Sequence, residues 1–288
     1  MARQPEDSVT MSTTNSADIT VIRPPSGLST VDIKELWQHR ELLYFLAWRD
    51  IKVRYKQSFL GVAWAIIQPF VTMVVFTLIF GRLIEREGEK IPYSIFAFIG
   101  LVLWSYFSRA LSASTISLVG NAPLLSKIYT PRALLPISST LSGLVDLAFS
   151  VLFMILLLAI YGYYPTLRFL WVLPLSLLAM IMAVACGLWL SSINVRYRDI
   201  GQVVSFVIQI WFFLTPIVYP LSVLGEKWRF LFWLNPMTFI IDAFRWAVTD
   251  YPFPPVGGAV ASLSIITVLL VGGSFYFKRS ESSFADVV

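Results

Sequence analysis

The sequence is poor in the groups that most chemistry needs. Its 288 residues hold one cysteine, Cys186, and one histidine, His39. A single thiol excludes an intrachain disulfide and a Cys-cluster metal site. A single imidazole excludes a His-pair metal site and leaves little room for a His-based catalytic triad. Charge is scarce as well: 14% of residues are Asp, Glu, Lys or Arg, against about 25% in a soluble domain. The formal net charge is only +5. These shortages exclude an ordinary cytosolic enzyme, a disordered tail protein and a nucleic-acid binder. What is abundant is apolar: 57% of the chain is hydrophobic, 15% is aromatic, and mean hydropathy is +0.73. That is the composition of an all-α polytopic membrane protein.

Residues 1–30 are rich in Ser, Thr, Pro and Asp and contain no apolar run. They read as a disordered cytosolic tail without a signal peptide. Residues 278–288 read as a second cytosolic tail. Between the tails, a transmembrane domain over 58–277 is expected. A spanning helix needs about 20 mostly apolar residues, and six segments qualify: 59–81, 94–118, 136–161, 169–193, 201–221 and 256–277. Pro69, Pro174, Pro216 and Pro220 fall inside them, which is tolerated where other groups satisfy the freed carbonyls. With the amino terminus inside, the inner flanks carry Arg40, Arg49, Lys52, Arg54, Lys56, Lys127, Arg132, Arg196, Arg198, Lys278 and Arg279. The outer loops carry Arg82, Arg86, Lys90, Arg168, Lys227, Arg229 and Arg245. The excess of inner cations places both termini in the cytosol.

Residues 31–57 precede the first span. Apolar residues recur there at spacings of three and four, from Ile33 through Leu43, Tyr44 and Trp48 to Tyr55, with cations between them. This is the pattern of an amphipathic interface helix. It serves either as an anchor to membrane lipids or as a docking surface at a pore mouth. Two charges lie well inside spans, Arg109 in the second and Asp146 in the third. Counted from the inner ends of two consecutive antiparallel helices, they lie about 13 and about 15 Å deep. They are expected to pair, as a structural bridge or in a shared polar cavity. One carboxylate and no histidine make a proton relay weak, and no ring of charge suggests a selective channel.

Residues 222–253 are too apolar for a plain loop and too charged for a span. Asn235-Pro236 should break them into two short helices. Each arm is too short to cross the membrane, so a re-entrant outer segment is expected, acting as a packed cover or an outer gate. Asp242 and Arg245, three apart, are placed to pair.

Four motifs carry a family resemblance. RDIKVRYKQSFLGVAWAIIQP (49–69), NAPLLSKIYTPRALLP (121–136), NVRYRDI (194–200) and LNPMTFIIDAFRWAV (234–248) resemble, in this order, motifs of the permease subunits of type-2 ABC exporters for bacterial polysaccharides. The resemblance implies a channel-forming homodimer in the bacterial inner membrane, working with two copies of a separate ABC ATPase subunit. The cargo implied is lipid-linked polysaccharide of O-antigen, capsule or teichoic-acid type. ATP and Mg²⁺ would belong to the partner, because this chain has no phosphate-binding loop of the form G-x-x-x-x-G-K-[ST]. No cofactor, metal or catalytic residue is expected in the chain itself. The ATPase-coupling helix would lie in 121–135, with Tyr129, Thr130, Pro131 and Arg132 as contacts. Sugar rings stack on aromatics, so Trp64, Tyr106, Phe107, Trp211, Phe212, Phe213 and Tyr219 are channel-lining candidates. Asn235, Pro236, Asp242 and Arg245 would form the outer gate. A permease for a drug or small lipid is the alternative within transport. A membrane-embedded acyl- or glycosyltransferase is the alternative enzyme, and it needs convergent acids at one membrane face.

Overall fold

The structure, a computed structural model, describes residues 30–56, 61, 63–84, 91–125, 130–223 and 225–281. The two expected tails (up to 29 and from 282), residues 59–60, Arg86, Lys90, Lys127 and Tyr129 lie outside the described residues. All regular structure among the described residues is helical. In chain order it runs α1 (Ile33–Gln38), α2 (Arg40–Lys56), α3 (Ala63–Ile84), α4 (Tyr93–Gly120), α5 (Ala122–Leu125), α6 (Leu134–Ile160), α7 (Val172–Arg196), α8 (Ile200–Phe213), α9 (Glu226–Trp233), α10 (Pro236–Val248) and α11 (Val256–Ser280). A 3₁₀ turn at Leu167–Trp171 leads into α7.

Five helices, α3, α4, α6, α7 with its leading turn, and α11, are long and apolar enough to cross a membrane. They correspond to five of the six expected segments. The fifth segment differs. Its helix, α8, stops at Phe213 after 14 residues, about 21 Å of rise against a hydrocarbon core of about 30 Å. Pro216 and Pro220 explain the stop. Proline cannot donate to the ladder and drives the preceding residue out of the helical region. Pro174, by contrast, lies in the first turn of α7, where a missing N–H costs nothing.

α4 is the hub. It packs on α3, α6, α7, α8 and α10, while α11 packs on α7 and α2 on α6. Within the apolar stretches, 78% of residues are buried in α4 but only 17% in α3 and 22% in α11. The outer helices therefore have broad faces that this chain leaves uncovered. α2 divides its apolar residues between two sides. Leu42, Leu43 and Leu46 join a cluster with Leu118, Leu134 and Leu135, whereas Tyr44, Phe45 and Trp48 are exposed.

α4 and α7 approach closely because Gly187 has no side chain. A Cβ there would meet the Ser114 Cβ at 2.8 Å, closer than such atoms pack. Gly187→Ala should therefore destabilise the bundle by about 1–3 kcal/mol, measured by unfolding in detergent. Adding Ser114→Gly should recover most of the loss, and an unaffected single variant would mean that the two helices separate freely.

Candidate functional site

Four regions gather the side chains that matter. The first lies where α8 gives out. Leu214–Pro220 is not helical, so its carbonyls need partners from elsewhere. Arg245 of α10 supplies several. Its Nη1 donates to Pro216 O (2.9 Å), its Nη2 to Ile217 O (2.6 Å) and its Nε to Phe96 O (3.2 Å). Nη1 also bonds Asp242 Oδ1 at 2.8 Å, and the guanidinium lies 3.5 Å from the Phe96 ring centroid. Arg245 is fully buried, at 0% exposure. It is thus not the outer-loop cation that the orientation count assumed. Its charge is balanced by Asp242 and its donors by backbone oxygens. Asn235 completes the work. Its Nδ2 donates to Thr215 Oγ1 (2.8 Å) and Leu214 O (3.3 Å), while its Oδ1 accepts from Trp211 Nε1 and from Met237 N, both at 3.1 Å. Asn235 caps α10, and Pro236 occupies the first turn, where its fixed φ suits a helix start. Tyr93 Oη donates to Val218 O, and Tyr219 Oη to Phe213 O.

The second region surrounds Asp146, buried on α6. Arg54 Nη1 of α2 reaches its Oδ2 at 2.6 Å, and Tyr55 Oη donates to its Oδ1. Arg109 Nη1 stands 3.9 Å away, and its Nε bonds Ser105 O within its own helix. The depth-matched pair Arg109–Asp146 is therefore in contact, but Arg54 holds the carboxylate more closely. Sequence reading missed Arg54 and Tyr55 because it assigned α2 wholly to the membrane surface. Burial first, then the Asp146 carboxylate, pushes the Tyr55 hydroxyl up to about 12 from 10.0. The contact therefore contributes fully below pH 10 and is lost as pH rises through about 12.

The third region is the 121–135 segment. Asn121, at the end of α4, accepts from Arg49 Nη2 at 2.7 Å. Arg132 Nη1 donates to Glu281 O at the end of α11, and Pro131 and Arg132 share a small cleft with Asp32, Glu35 and Lys278. Thr130 precedes them at an irregular position. The segment is thus tied to both ends of the described chain.

The fourth region contains the aromatic candidates. Tyr106 and Phe107 are buried inside the protein. Tyr106 packs between helices, with Oη donating to Thr140 O at 3.3 Å. Phe107 meets Trp211 edge-on at 5.2 Å, and Trp104 and Phe76 extend this cluster onto Phe212. Trp211, Phe212 and Tyr219 are half-buried, while Trp64 and Phe213 are exposed. α8 also carries Gln202, Ser205 and Gln209 on its exposed side. At 100° per residue these form one stripe along a flank of α8, about 110° round from Val204 and Ile208, which face the bundle, with the exposed Val203, Phe206 and Ile210 beyond it. The sequence spacing of three and four contained this signal, and it went unread.

Five crossing helices of this composition define a multi-pass membrane protein. The chain belongs to the ABC-2 type transporter family, whose model matches residues 41–249. It is a transport permease rather than an enzyme. It is 30% identical over 258 residues to the O-antigen export system permease protein RfbA of Myxococcus xanthus, covering 89% of this chain and 98% of that protein. An O-antigen export system permease protein RfbA of Klebsiella pneumoniae is 28% identical over 256 residues, covering 86% and 95%. The polysialic acid transport protein KpsM of Escherichia coli is 24% identical over 241 residues, covering 81% and 92%. Among the described residues, no three His, Cys, Asp or Glu side chains gather as a metal site would require.

Two tests address the anchors. Arg245→Leu leaves Asp242 as an unpaired buried charge and frees three carbonyls, and should destabilise the protein by about 3–5 kcal/mol. Gly100→Ala should act in the same direction, since a Cβ would meet Arg245 Nη2 at 2.7 Å and Ile217 O at 2.9 Å. At Asp146, Arg54→Gln should cost about 1–3 kcal/mol, reduced by solvent screening because that side chain is 36% exposed. Arg109→Gln should cost less. Tyr55→Phe should show an effect that is constant from about pH 6 to 9. Thermal unfolding of the purified variants checks each ranking.

Proposed function

We propose that this chain is the transmembrane subunit of an ATP-driven exporter of lipid-linked polysaccharide. It works as a homodimer with two copies of a separate ATPase in a bacterial inner membrane, with both termini cytosolic. The observation that carries this reading is the polar stripe of α8. The side of α8 turned straight away from the bundle is apolar, with Val203, Phe206 and Ile210, as a lipid-facing helix requires, but the exposed Gln202, Ser205 and Gln209 line the flank beside it. Polar side chains at such a position call for protein or a wet path opposite them. α3 offers exposed Gln68 and Trp64 in the same manner. Two copies meeting across these faces would enclose a passage with hydroxyl, amide and aromatic walls. Many weak contacts of that kind suit a sliding sugar polymer, and the names of the relatives, O-antigen export and polysialic acid transport, support that cargo.

In this reading α8 and the 214–220 turn together complete a sixth crossing, and α9 and α10 re-enter from the outer side. Asn235, Pro236, Asp242 and Arg245 then brace the outer gate rather than open it themselves. Trp64 and Phe213, with Trp211, Phe212 and Tyr219 behind them, meet the polymer. Tyr106 and Phe107 support those rings from within. The 121–135 segment docks the ATPase through Tyr129, Thr130 and Pro131, while Arg132 holds the segment against α11. ATP and Mg²⁺ act on the partner.

Co-purification of the full chain with a separately encoded ATPase should recover a stable complex. Tyr129→Ala should weaken it about tenfold, or about 1.4 kcal/mol. The double variant Gln202→Leu/Gln209→Leu should keep the complex and its ATP hydrolysis but lower polymer export several-fold. No complex with any ATPase would sink the ATP-driven reading, whereas normal export by the double variant would sink the proposed path.

A further inference from the structure

α2 lies along α6 but does not close against α4. A crevice of about 450 Å³ remains between them, within the range of small-molecule sites. Arg49 and Arg54 of α2, Ser117 and Asn121 of the α4 end, and Ser139 and Ser142 of α6 form its polar side. Val53, Ala113 and Ile116 form its apolar side.

Both guanidiniums are held in place with donors to spare. Arg49 Nε and Nη2 bond Asp50 Oδ1 at 3.2 and 2.8 Å, and Nη2 also bonds Asn121 Oδ1 at 2.7 Å. Its Nη1 makes no hydrogen bond among the described residues. Arg54 is fixed by Asp146 at 2.6 Å and Ser142 Oγ at 3.4 Å, and its Nε makes no hydrogen bond among the described residues. Three guanidiniums, Arg49, Arg54 and Arg109 behind them, face two carboxylates, Asp50 and Asp146, so these five groups carry a net positive charge. A planar fork with free N–H groups matches a phosphate ester. Asp50 Oδ2 also makes no hydrogen bond among the described residues, which makes it an acceptor for a hydroxyl beside that phosphate. The apolar side suits an alkyl chain leaving the crevice.

We propose that this crevice binds a phosphate-linked lipid whose headgroup carries hydroxyls. Arg49 and Arg54 hold the phosphate, Asp50 takes a headgroup hydroxyl, and the tail runs over Val53 and Ile116. The bilayer can supply this chemistry as a polyol phospholipid, and a lipid-linked sugar phosphate can supply it as cargo. The site does not depend on what the chain exports, so its test leaves the export reading aside.

The full-length chain in neutral detergent is titrated with phosphatidylglycerol, a dodecyl glucosyl phosphodiester, phosphatidylcholine and inorganic phosphate. Bound species are counted by native mass spectrometry. At least one of the first two should bind about tenfold more tightly than the last two, a difference of about 1.4 kcal/mol. Preference for phosphatidylglycerol assigns the site to bilayer lipid, and preference for the glucosyl phosphodiester assigns it to cargo. Arg49→Gln should remove the advantage, and Arg49→Lys should keep part of it. Ile116→Trp should also remove it by filling the mouth. Ile116 is 53% exposed, so this variant tests the site even if Arg49→Gln fails to fold. Equal binding of all four probes, or unchanged affinity in both Arg49→Gln and Ile116→Trp, overturns the proposal.

Discussion

Backbone carbonyls have nowhere to go in a membrane except to the protein itself, and the stretch after α8 makes that constraint acute. Two prolines end the helix before it has risen far enough to cross. The carbonyls of Phe213, Leu214, Pro216, Ile217 and Val218 then take donors from side chains: Arg245, Asn235, Tyr93 and Tyr219. Each lost hydrogen bond in such surroundings costs far more than the bond contributes in water. This explains why a full positive charge, Arg245, is buried on α10. Arginine carries five donors in one plane, and no neutral side chain could serve Phe96, Pro216 and Ile217 together. Asp242 offsets the charge that this choice brings with it. The absent side chain of Gly100 admits both the guanidinium and the turn.

The bundle inverts the usual logic of a soluble core. α4 is enclosed by its neighbours, whereas α3 and α8 turn exposed amides and rings outward. Water-soluble proteins hide apolar groups and display polar ones because water rewards it. Lipid reverses the second half of that rule, so an exposed polar stripe along one flank of α8 is unfinished as the chain stands alone.

Much of the fold could be read from hydropathy and length because five crossing helices are long, continuous and weakly charged. The break at Asn235-Pro236 was legible for local reasons: an N-cap residue followed by a proline at the first helical position. The end of α8 was harder, since Pro216 inside an apolar run is equally compatible with a kinked span. Arg245 misled because a cation beside a span normally sits in water. Only the fold shows the carbonyls that claim it. The partner of Asp146 was half legible. Depth along consecutive helices pointed to Arg109, but sequence carries no information on the packing of α2 along α6, and that packing brings Arg54 and Tyr55 to the carboxylate. Tyr106 and Phe107 were read as channel-lining candidates by residue type, and both rings are buried within this chain.

The anchors share one helix, and that has a mechanical consequence. Near its start, α4 offers Phe96 to Arg245; thirteen residues on, it places Arg109 beside Asp146; at its end, Asn121 holds Arg49. The first and last of these points are 25 residues apart, about 37 Å along a helix. α4 contains no proline, so it has no built-in point of kinking. A displacement of α2 or of the adjoining 121–135 segment must either break the Arg49–Asn121 and Arg54–Asp146 contacts or carry α4 with it. Movement of α4 shifts Phe96 and Gly100 against the 214–220 turn, whose Pro216 and Ile217 carbonyls accept from Arg245. The two ends of the molecule are therefore joined by a rod held by ion pairs and hydrogen bonds rather than by loops. The Arg54–Asp146 link is the part able to exchange partners, because Arg109 already stands within reach of the same oxygen.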